Sequence, residues 1–463
     1  MLKSLTQVNC FCAKEKSNIP IEVILPLAYT SWLQQQSAFV HTWLEQNHIN
    51  PEENNVCLLP NEQGQLAKII VTTENPDDFW AYAFVVDKCP EGHYVLVNQE
   101  ETLCEKFAVG WALASYQFTV YKKADNKKKQ LAIELNPIQT AIIESIYLVR
   151  DLINLPSEDC NPQHLLLITE QLAQRYNAQS HQIVGEELLT QGFPAIHRVG
   201  RASQQAEQAP RLLELNWGNP THKKITLVGK GVCFDTGGMN LKLGTGMRLM
   251  KKDMGGAAHV LGLANMIMAA NLPIYLRVLI PAVENVVAAN AYRPGDVITM
   301  RDGTTVEIEN TDAEGRLILA DALSYACEDQ PELIIDFATL TGAARVAVGT
   351  EIAALFCNDD RLSQSITQLG NEIQDYIWPL PLHTPYQSLI NSYLADIVNS
   401  SSSGYAGAIT AALFLQRFIH SNTRWMHFDL MAWNVSAKPG RPEGGEAMAL
   451  RGVFSYLQRT NMR

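Results

Sequence analysis

From Asn161 onward the chain alternates short apolar runs with segments of helical spacing, and this alternation constrains the architecture most. The runs at 225–228, 275–280, 333–337, 352–356 and 425–430 read as buried strands. Helical spacing covers 164–176, 253–270, 316–327, 362–376 and 406–418. Strands apolar on both faces need helices on both sides of their sheet. The predicted fold is therefore α/β: a C-terminal α/β/α domain around a mixed, mostly parallel central sheet. Functional residues then belong at strand ends and in the adjoining loops.

A chain of 463 residues exceeds the size at which one core stops growing. Two domains are expected, a smaller N-terminal α/β accessory or oligomerisation domain at 1–140 and a catalytic domain at 150–463. A linker helix near 137–152 carries Ile138, Ile142, Ile143, Ile146 and Val149 at helical spacings. Pro156 stops it, because proline restricts the residue before it. In the first domain, 21–25, 66–72, 80–86 and 116–121 read as strands, and 31–46 and 101–115 as helices. Pro26 ends the first strand.

The functional residues begin downstream. Asn310 to Arg316 reads NTDAEGR, just before the apolar helix pattern that starts at Leu317. Asp312 and Glu314 are two apart, so in an extended segment both side chains project the same way. Two carboxylates held close repel unless a cation lies between them. Upstream, KGVCFDTGG places Lys230 and Asp235 in a loop opening from a buried strand. Lys230 and Lys242 both lie among apolar or small residues, where a lysine must pair or lose its proton. A neutral amine can ligate a metal and a charged one can stabilise an anion; the sequence leaves both open. Asp253 stands where a helix should begin, either as its N-cap or as a ligand. Asp235, Asp253, Asp312 and Glu314 are too many carboxylates for one divalent ion, and two ions could share bridging carboxylates. Arg316 cannot be a ligand and suits an anion beside the metals. Asp302 and Glu307 read as turn and strand-surface residues. His259 and His427 lie in apolar runs and read as core histidines. No phosphate-loop pattern follows the first strand.

Composition excludes other classes. With 36 basic and 48 acidic side chains the net charge is −12, which disfavours nonspecific nucleic acid binding. The Lys127–Lys129 run reads as a solvated loop. The nine cysteines are odd in number, and the Cys10/Cys12 pair has no second pair nearby, so free thiols in a reducing compartment are expected. No leader with a cleavage site follows Lys3, and there is no membrane-length apolar run, so the cytoplasm is expected.

These motifs closely resemble the leucyl aminopeptidase family, the dinuclear M17-type metallo-aminopeptidases. NTDAEGR at 310–316 is that family's signature, and VGKGVCFDTGG at 228–238 and DMGGAA at 253–258 resemble its other metal segments. DFATLTGA at 336–343 and AGAITAALFL at 406–415 resemble its substrate-side and structural segments. The likeness spans about residues 150–463 and does not reach the first third by motif. It implies two divalent ions per subunit, zinc or manganese, with magnesium or cobalt as alternatives. Asp235 and Glu314 would bridge the ions, Lys230 and Asp253 complete the tighter site, and Asp312 the more exchangeable one. Lys242 would stabilise the tetrahedral intermediate, and Arg316 would hold a bicarbonate-like anion that relays a proton.

The implied activity is hydrolysis of the N-terminal peptide bond of peptides through a metal-activated hydroxide. A free amino terminus is required, with Asp253 also a candidate amine anchor. Met250 and Thr339 fall where the family lines its first-residue pocket, and Leu340 and Gly342 where backbone contacts hold the peptide. The family's proline after the second lysine is Leu243 here. Met431, Ala432 and Trp433 replace smaller residues, and Met431 would reshape the pocket. The implied assembly is a homohexamer. The alternatives are a specialised dipeptidase, such as one for Cys-Gly, and a hexameric DNA-binding or scaffold protein.

Overall fold

The computed structural model describes residues 8–14, 18–122, 128–203 and 205–461. Met1, Lys3 and Lys127 lie outside the described residues. Those described fall into two compact units, one of 8–147 with 436–443, the other of 148–435 with 444–461.

The larger unit is built on a nine-stranded sheet. Its spatial order is Ile377–Pro379, Ala353–Cys357, Arg424–Asp429, Leu333–Ala338, Lys223–Gly229, Ile274–Asn285, Arg211–Gly218 and Gln179–Val184. Gly231–Asp235 pairs with the far end of Ile274–Asn285. The four strands from Arg424–Asp429 through Ile274–Asn285 are mutually parallel, and antiparallel neighbours flank them on both sides. The sheet is thus mixed and mostly parallel, as the alternating pattern predicts. Every residue of Leu333–Ala338 is buried, which is why these runs lack polar alternation.

Helices Gly255–Ala269 and Glu314–Glu328 pack along the strands. The first approaches closely because Gly256 has no side chain: a Cβ there would stand 2.0 Å from the Phe337 carbonyl oxygen. Strands Arg211–Gly218 and Gln179–Val184, missed from sequence, extend the sheet at one edge. Gln179–Val184, the outermost and largely exposed of the two, leaves a weak apolar signal.

The smaller unit holds a six-stranded sheet: Phe11–Cys12, Lys129–Ala132, Gly92–Leu96, Ile19–Val23, Leu66–Thr72 and Asn55–Pro60. All neighbours are parallel except the last pair. Several local expectations are corrected here. Residues 80–86 form turns closed by Ala83 N–H to Trp80 O and Val85 N–H to Tyr82 O, followed by the short helix Val85–Lys88. Residues 116–121 form no strand. The segment 31–46 is two helices, Pro26–Leu33 and Ala38–Gln46. Pro26 opens the first of them, where its missing N–H costs nothing, and the Ser37 hydroxyl caps the second by accepting Val40 N–H. Lys129 is not loop: it begins a strand, and its ammonium donates to Val86 O at 2.7 Å. Helices Glu101–Ser115 and Pro137–Asn154 match their patterns.

All nine cysteines are free thiols. No helix among the described residues is long and apolar enough to cross a membrane.

Candidate metal centre

The charged residues collect where the parallel strands end. Lys230 follows Lys223–Gly229, Asp235 ends Gly231–Asp235, Thr339 follows Leu333–Ala338, and Asp429 ends Arg424–Asp429. Asp253 lies in the 3-10 turn Met250–Met254, so it is not the N-cap of the following helix. The Lys230 carbonyl accepts Ala257 N–H at 2.8 Å. The Asp253 carboxylate is therefore spared for the site, where it accepts the Thr339 hydroxyl at 2.8 Å. Asp312 sits in a turn and Glu314 opens the helix Glu314–Glu328.

Ligand atoms of Asp235, Asp312 and Glu314 lie within 4.8 Å of one another. Two buried or half-buried ammonium groups bind this carboxylate set together. The Lys230 Nζ lies 2.7 Å from Asp253 and 3.0 Å from Glu314, and donates to the Thr339 carbonyl at 3.2 Å. The Lys242 Nζ lies 2.8 Å from Asp235 and also pairs with Asp312. Gly315 makes room for Lys230, since a Cβ there would stand 2.4 Å from Lys230 Cε.

Burial, reinforced by Asp253, pushes the Asp235 carboxyl up, and burial with Asp235 does the same to Glu314. Burial also opposes charge on Asp253, yet Lys230 and Lys252 hold it below its ordinary value. Lys230 and Lys242 are pushed up, because Asp253 and Glu314 at the first, and Asp235 and Glu314 at the second, outweigh desolvation.

A supporting layer fixes these groups, and the sequence reading did not single it out. Asn285 donates to Asp235 at 2.8 Å and to the Thr311 carbonyl at 3.0 Å. The Thr311 carbonyl also accepts the Tyr292 hydroxyl at 2.6 Å. Asn240 accepts Thr311 N–H at 2.9 Å. Asn399 accepts Glu309 N–H at 2.9 Å and donates to the Asn310 carbonyl at 2.7 Å, clamping the turn before Asp312. These asparagines are distant in sequence from what they hold, and no local motif marks them.

Among the described residues Arg316 makes no ion pair or hydrogen bond with the carboxylates. Its Nη1 donates to the Asn399 carbonyl at 2.7 Å, and its buried Nε has no hydrogen-bond partner. Burial brings the guanidinium down to about 10 against the pull of Glu314. Leu340 N–H donates to Asp429 at 3.0 Å, and Gly342 opens the helix Gly342–Val348 with an exposed face. Met250 begins the turn that carries Asp253, and Met431 is buried after the strand bearing Asp429. Among the described residues Met250, Gly342 and Met431 make no hydrogen bond or ion pair with the carboxylate set.

His259 and His427 are fully buried in the core, as read. His427 Nδ1 lies 2.6 Å from Asp336, and His259 Nδ1 lies 2.6 Å from the Gly255 carbonyl.

The donor set fits divalent cations. Four carboxylates face two ammonium groups, and the buried Glu314 Oε2 has no hydrogen-bond partner. A buried acceptor left this way is costly unless a cation completes it. Oxygen donors with a single amine suit zinc, manganese or magnesium.

Comparison with known proteins agrees with this chemistry. Residues 147–454 match the family model described as cytosol aminopeptidase family, catalytic domain. Residues 19–134 match the M17 aminopeptidase N-terminal domain, so the first third, unreadable by motif, is also of that family type. A protein of Syntrophotalea carbinolica named "Probable cytosol aminopeptidase" is 42% identical over 68% of this chain and 63% of its own length. One so named from Geobacter sp. is 37% identical over 77% of this chain and 75% of its own. The crystal structure of cytosol aminopeptidase from Coxiella burnetii superposes with a TM-score of 0.93 at 43% identity, covering 98% of this chain and all of that one. The bottromycin maturation enzyme BotP in complex with Mn gives 0.84 at 28% identity, covering 96% of this chain and 100% of that one.

Proposed function

Because this chain belongs to the cytosol aminopeptidase family, we propose that it is a metal-dependent aminopeptidase that removes the first residue of peptides. The observation that carries this reading is the three-carboxylate cluster of Asp235, Asp312 and Glu314, threaded by two lysines at the strand ends. We assign two divalent ions, zinc or manganese, to this donor set. Asp235, Glu314, Asp253 and Lys230, the last once its amine has given up its proton, would hold one ion, and Asp235, Glu314 and Asp312 the other. Bound there, the ions would polarise the scissile carbonyl and lower the pKa of water.

The chain's own groups do the rest. The substrate amine belongs beside Asp253, whose orientation Thr339 fixes. An internal peptide bond offers no such amine, which restricts cleavage to the terminus. Lys242, with its side chain 17% exposed, is the cation able to reach a developing oxyanion. Arg316 keeps a buried Nε without a hydrogen-bond partner and would hold a bicarbonate-like anion that relays a proton to the leaving amine. Met250 and Thr339 line the first-residue pocket, Leu340 and Gly342 hold the peptide backbone, and Met431 narrows the pocket. A homohexamer in the cytoplasm is the assembly and compartment we assign. Exposed apolar side chains such as Leu243, Val346 and Tyr405 support burial against other copies.

Glu314→Gln tests the reading. Loss of an outer partner of a metal ligand costs about 10–100-fold, so loss of this bridging ligand should lower Leu-anilide turnover at least that far and reduce bound metal. Unchanged metal content and turnover would overturn the assignment. Equal cleavage of amino-blocked and free peptides would overturn terminal specificity.

A further inference from the structure

The helix that carries Glu314 does not by itself aim Arg316. Arg316 follows Glu314 by two residues in the helix Glu314–Glu328, about 200° around its axis, so the two side chains leave on different faces. Glu314 meets Lys230 at 3.0 Å. The buried guanidinium of Arg316 instead donates through Nη1 to the Asn399 carbonyl at 2.7 Å. What orients it is therefore the segment that carries Asn399.

Asn399 is fully buried, and its amide is used up on one turn. Its Oδ1 accepts Glu309 N–H at 2.9 Å and Asn310 N–H at 3.2 Å. Its Nδ2 donates to the Asn310 carbonyl at 2.7 Å and to the Ala313 carbonyl at 3.4 Å. Two acceptor and two donor places are all that an asparagine side chain has. The turn they enclose carries Asp312, whose side chain is 31% exposed and pairs with Lys242.

Asn399 is itself held. Its N–H donates to the Glu307 carbonyl at 2.9 Å, and the strand Ile397–Val398 before it pairs in parallel with Thr305–Glu307. Asp396 accepts the Thr305 N–H at 2.8 Å and its hydroxyl at 2.6 Å. A clamp kept only for stability would need the amide alone. Here the main chain of the same residue also holds a buried guanidinium, so one residue fixes the spacing between Arg316 and the Asp312 turn.

We propose that Asn399 is a positioning residue for hydrolysis, setting Arg316 and Asp312 relative to each other so that cation and carboxylate act on the same substrate. The proposal rests on the aminopeptidase reading and on the roles given there to Arg316 and Asp312. It involves no new bond: Asn399 acts through those two residues.

Asn399→Ala removes the amide and leaves the main chain. In the metal-loaded enzyme kcat on Leu-anilide should fall about 10–100-fold, the cost of losing an outer partner of a metal ligand. KM should hold, because the substrate amine is assigned to Asp253, which is held by Lys230 and Thr339. Adding Asn399→Ala to Arg316→Met should cost less than Asn399→Ala does alone, since part of its effect passes through the guanidinium. Calorimetric titration of the metal-free protein with Mn2+ alone gives a readout independent of turnover. The weaker of two binding steps should loosen by about tenfold or more, and the tighter step should hold.

Asn358 supplies a structural control. Its side chain also clamps backbone, donating to the Thr423 carbonyl at 2.8 Å and accepting Trp425 N–H at 2.8 Å, at the far end of the strand Arg424–Asp429 from the centre. Asn358→Ala should lower thermal stability and leave kcat and both metal steps unchanged. Equal effects of the two alanine variants on kcat and metal affinity would reduce Asn399 to a clamp and overturn the proposal. Full additivity with Arg316→Met, or metal steps equal to those of wild type, would overturn it too. If Asn399→Ala fails to fold, Asn399→Asp keeps the two N–H acceptors and sets an oxygen against the Asn310 carbonyl in place of the donor. The same fall in kcat is expected from it, and full activity overturns the proposal. Loosened metal in the variant, with no free-amine substrate hydrolysed by wild type, keeps Asn399 as the holder of Asp312 and overturns the aminopeptidase reading.

Discussion

At the residue scale the centre depends on atoms that are missing as well as those present. Gly315 sits between Glu314 and Arg316, and a Cβ there would stand 2.7 Å from the Lys230 Nζ. Lys230 is pinned by Asp253, Glu314 and the Thr339 carbonyl, so it cannot swing aside without releasing all three. Gly315→Ala should therefore displace the ammonium, cost about 1–3 kcal/mol of stability by overpacking and lower turnover at least about tenfold. Activity and bound metal measured together check this; a fully active, metal-replete variant would show that Lys230 has room to spare. The charged residues that the fold collects were legible because NTDAEGR and KGVCFDTGG keep their charges in fixed local order. The burial of Lys252 was not, although it adjoins Asp253. A lysine in MKKD looks solvated in sequence, and only packing reveals that it is buried. Asn285 and Asn399 were hidden for the same reason, since their partners lie far along the chain.

At the element scale the parallel core of the larger unit was readable because each run buries both faces. The errors fell where burial comes from a neighbouring element rather than from strand pairing. Tyr82 and Val85 look like strand residues but are buried in a turn and at the start of a short helix, with Tyr82 packed 5.3 Å from the Phe107 ring on the helix Glu101–Ser115. Helix Gly255–Ala269 carries a device of its own. His259 Nδ1–H donates to the Gly255 carbonyl, while its Nε2 accepts Met448 N–H at 2.9 Å. Burial brings the imidazole down from 6.5 to about 4, with the Gly255 carbonyl opposing it. A base whose folded value is depressed is stabilising while neutral. That contribution is complete above about pH 6.5 and is lost as pH falls through about 4. A tenfold change in proton affinity corresponds to about 1.4 kcal/mol, so the loss is on the order of 3 kcal/mol. Urea unfolding of wild type and His259→Gln across this range checks it. Acid release of metal affects both proteins, so the stability difference between them carries the histidine's share. That difference should shrink toward pH 4, and one that stays constant would count against the assignment.

At the scale of the whole molecule, chain order and spatial grouping part company. Residues 436–443 follow the catalytic strands in sequence but belong to the same compact unit as 8–147. Their sequence, SAKPGRPE, reads as an ordinary polar turn, and nothing in its composition announces a return to the first unit. Within that unit Gly440 leaves space for a side chain from the first 147 residues: a Cβ there would meet the Trp80 ring and Ala83 at 2.9 Å. The Arg441 guanidinium stands 4.8 Å from the Trp80 ring centroid, a cation–π contact worth about 0.5–1 kcal/mol or more when desolvated. A chain beginning at residue 148 would lose both partners. Its own catalytic sheet would be complete, since every strand of that sheet begins after Ala178. The damage should then be local. Lys438 and Arg441 exchange backbone hydrogen bonds with each other at 2.8 and 2.9 Å. In the truncated chain their amide hydrogens should exchange with solvent at least about tenfold faster than in the full chain, as local opening governs such exchange. Metal content of the truncated chain separates local from global damage, because all five residues proposed to hold metal lie between 230 and 314. Retained metal with fast exchange at Lys438 and Arg441 fits a segment held by the first unit. Equal exchange rates in the two chains would mean that 436–443 holds its shape without it.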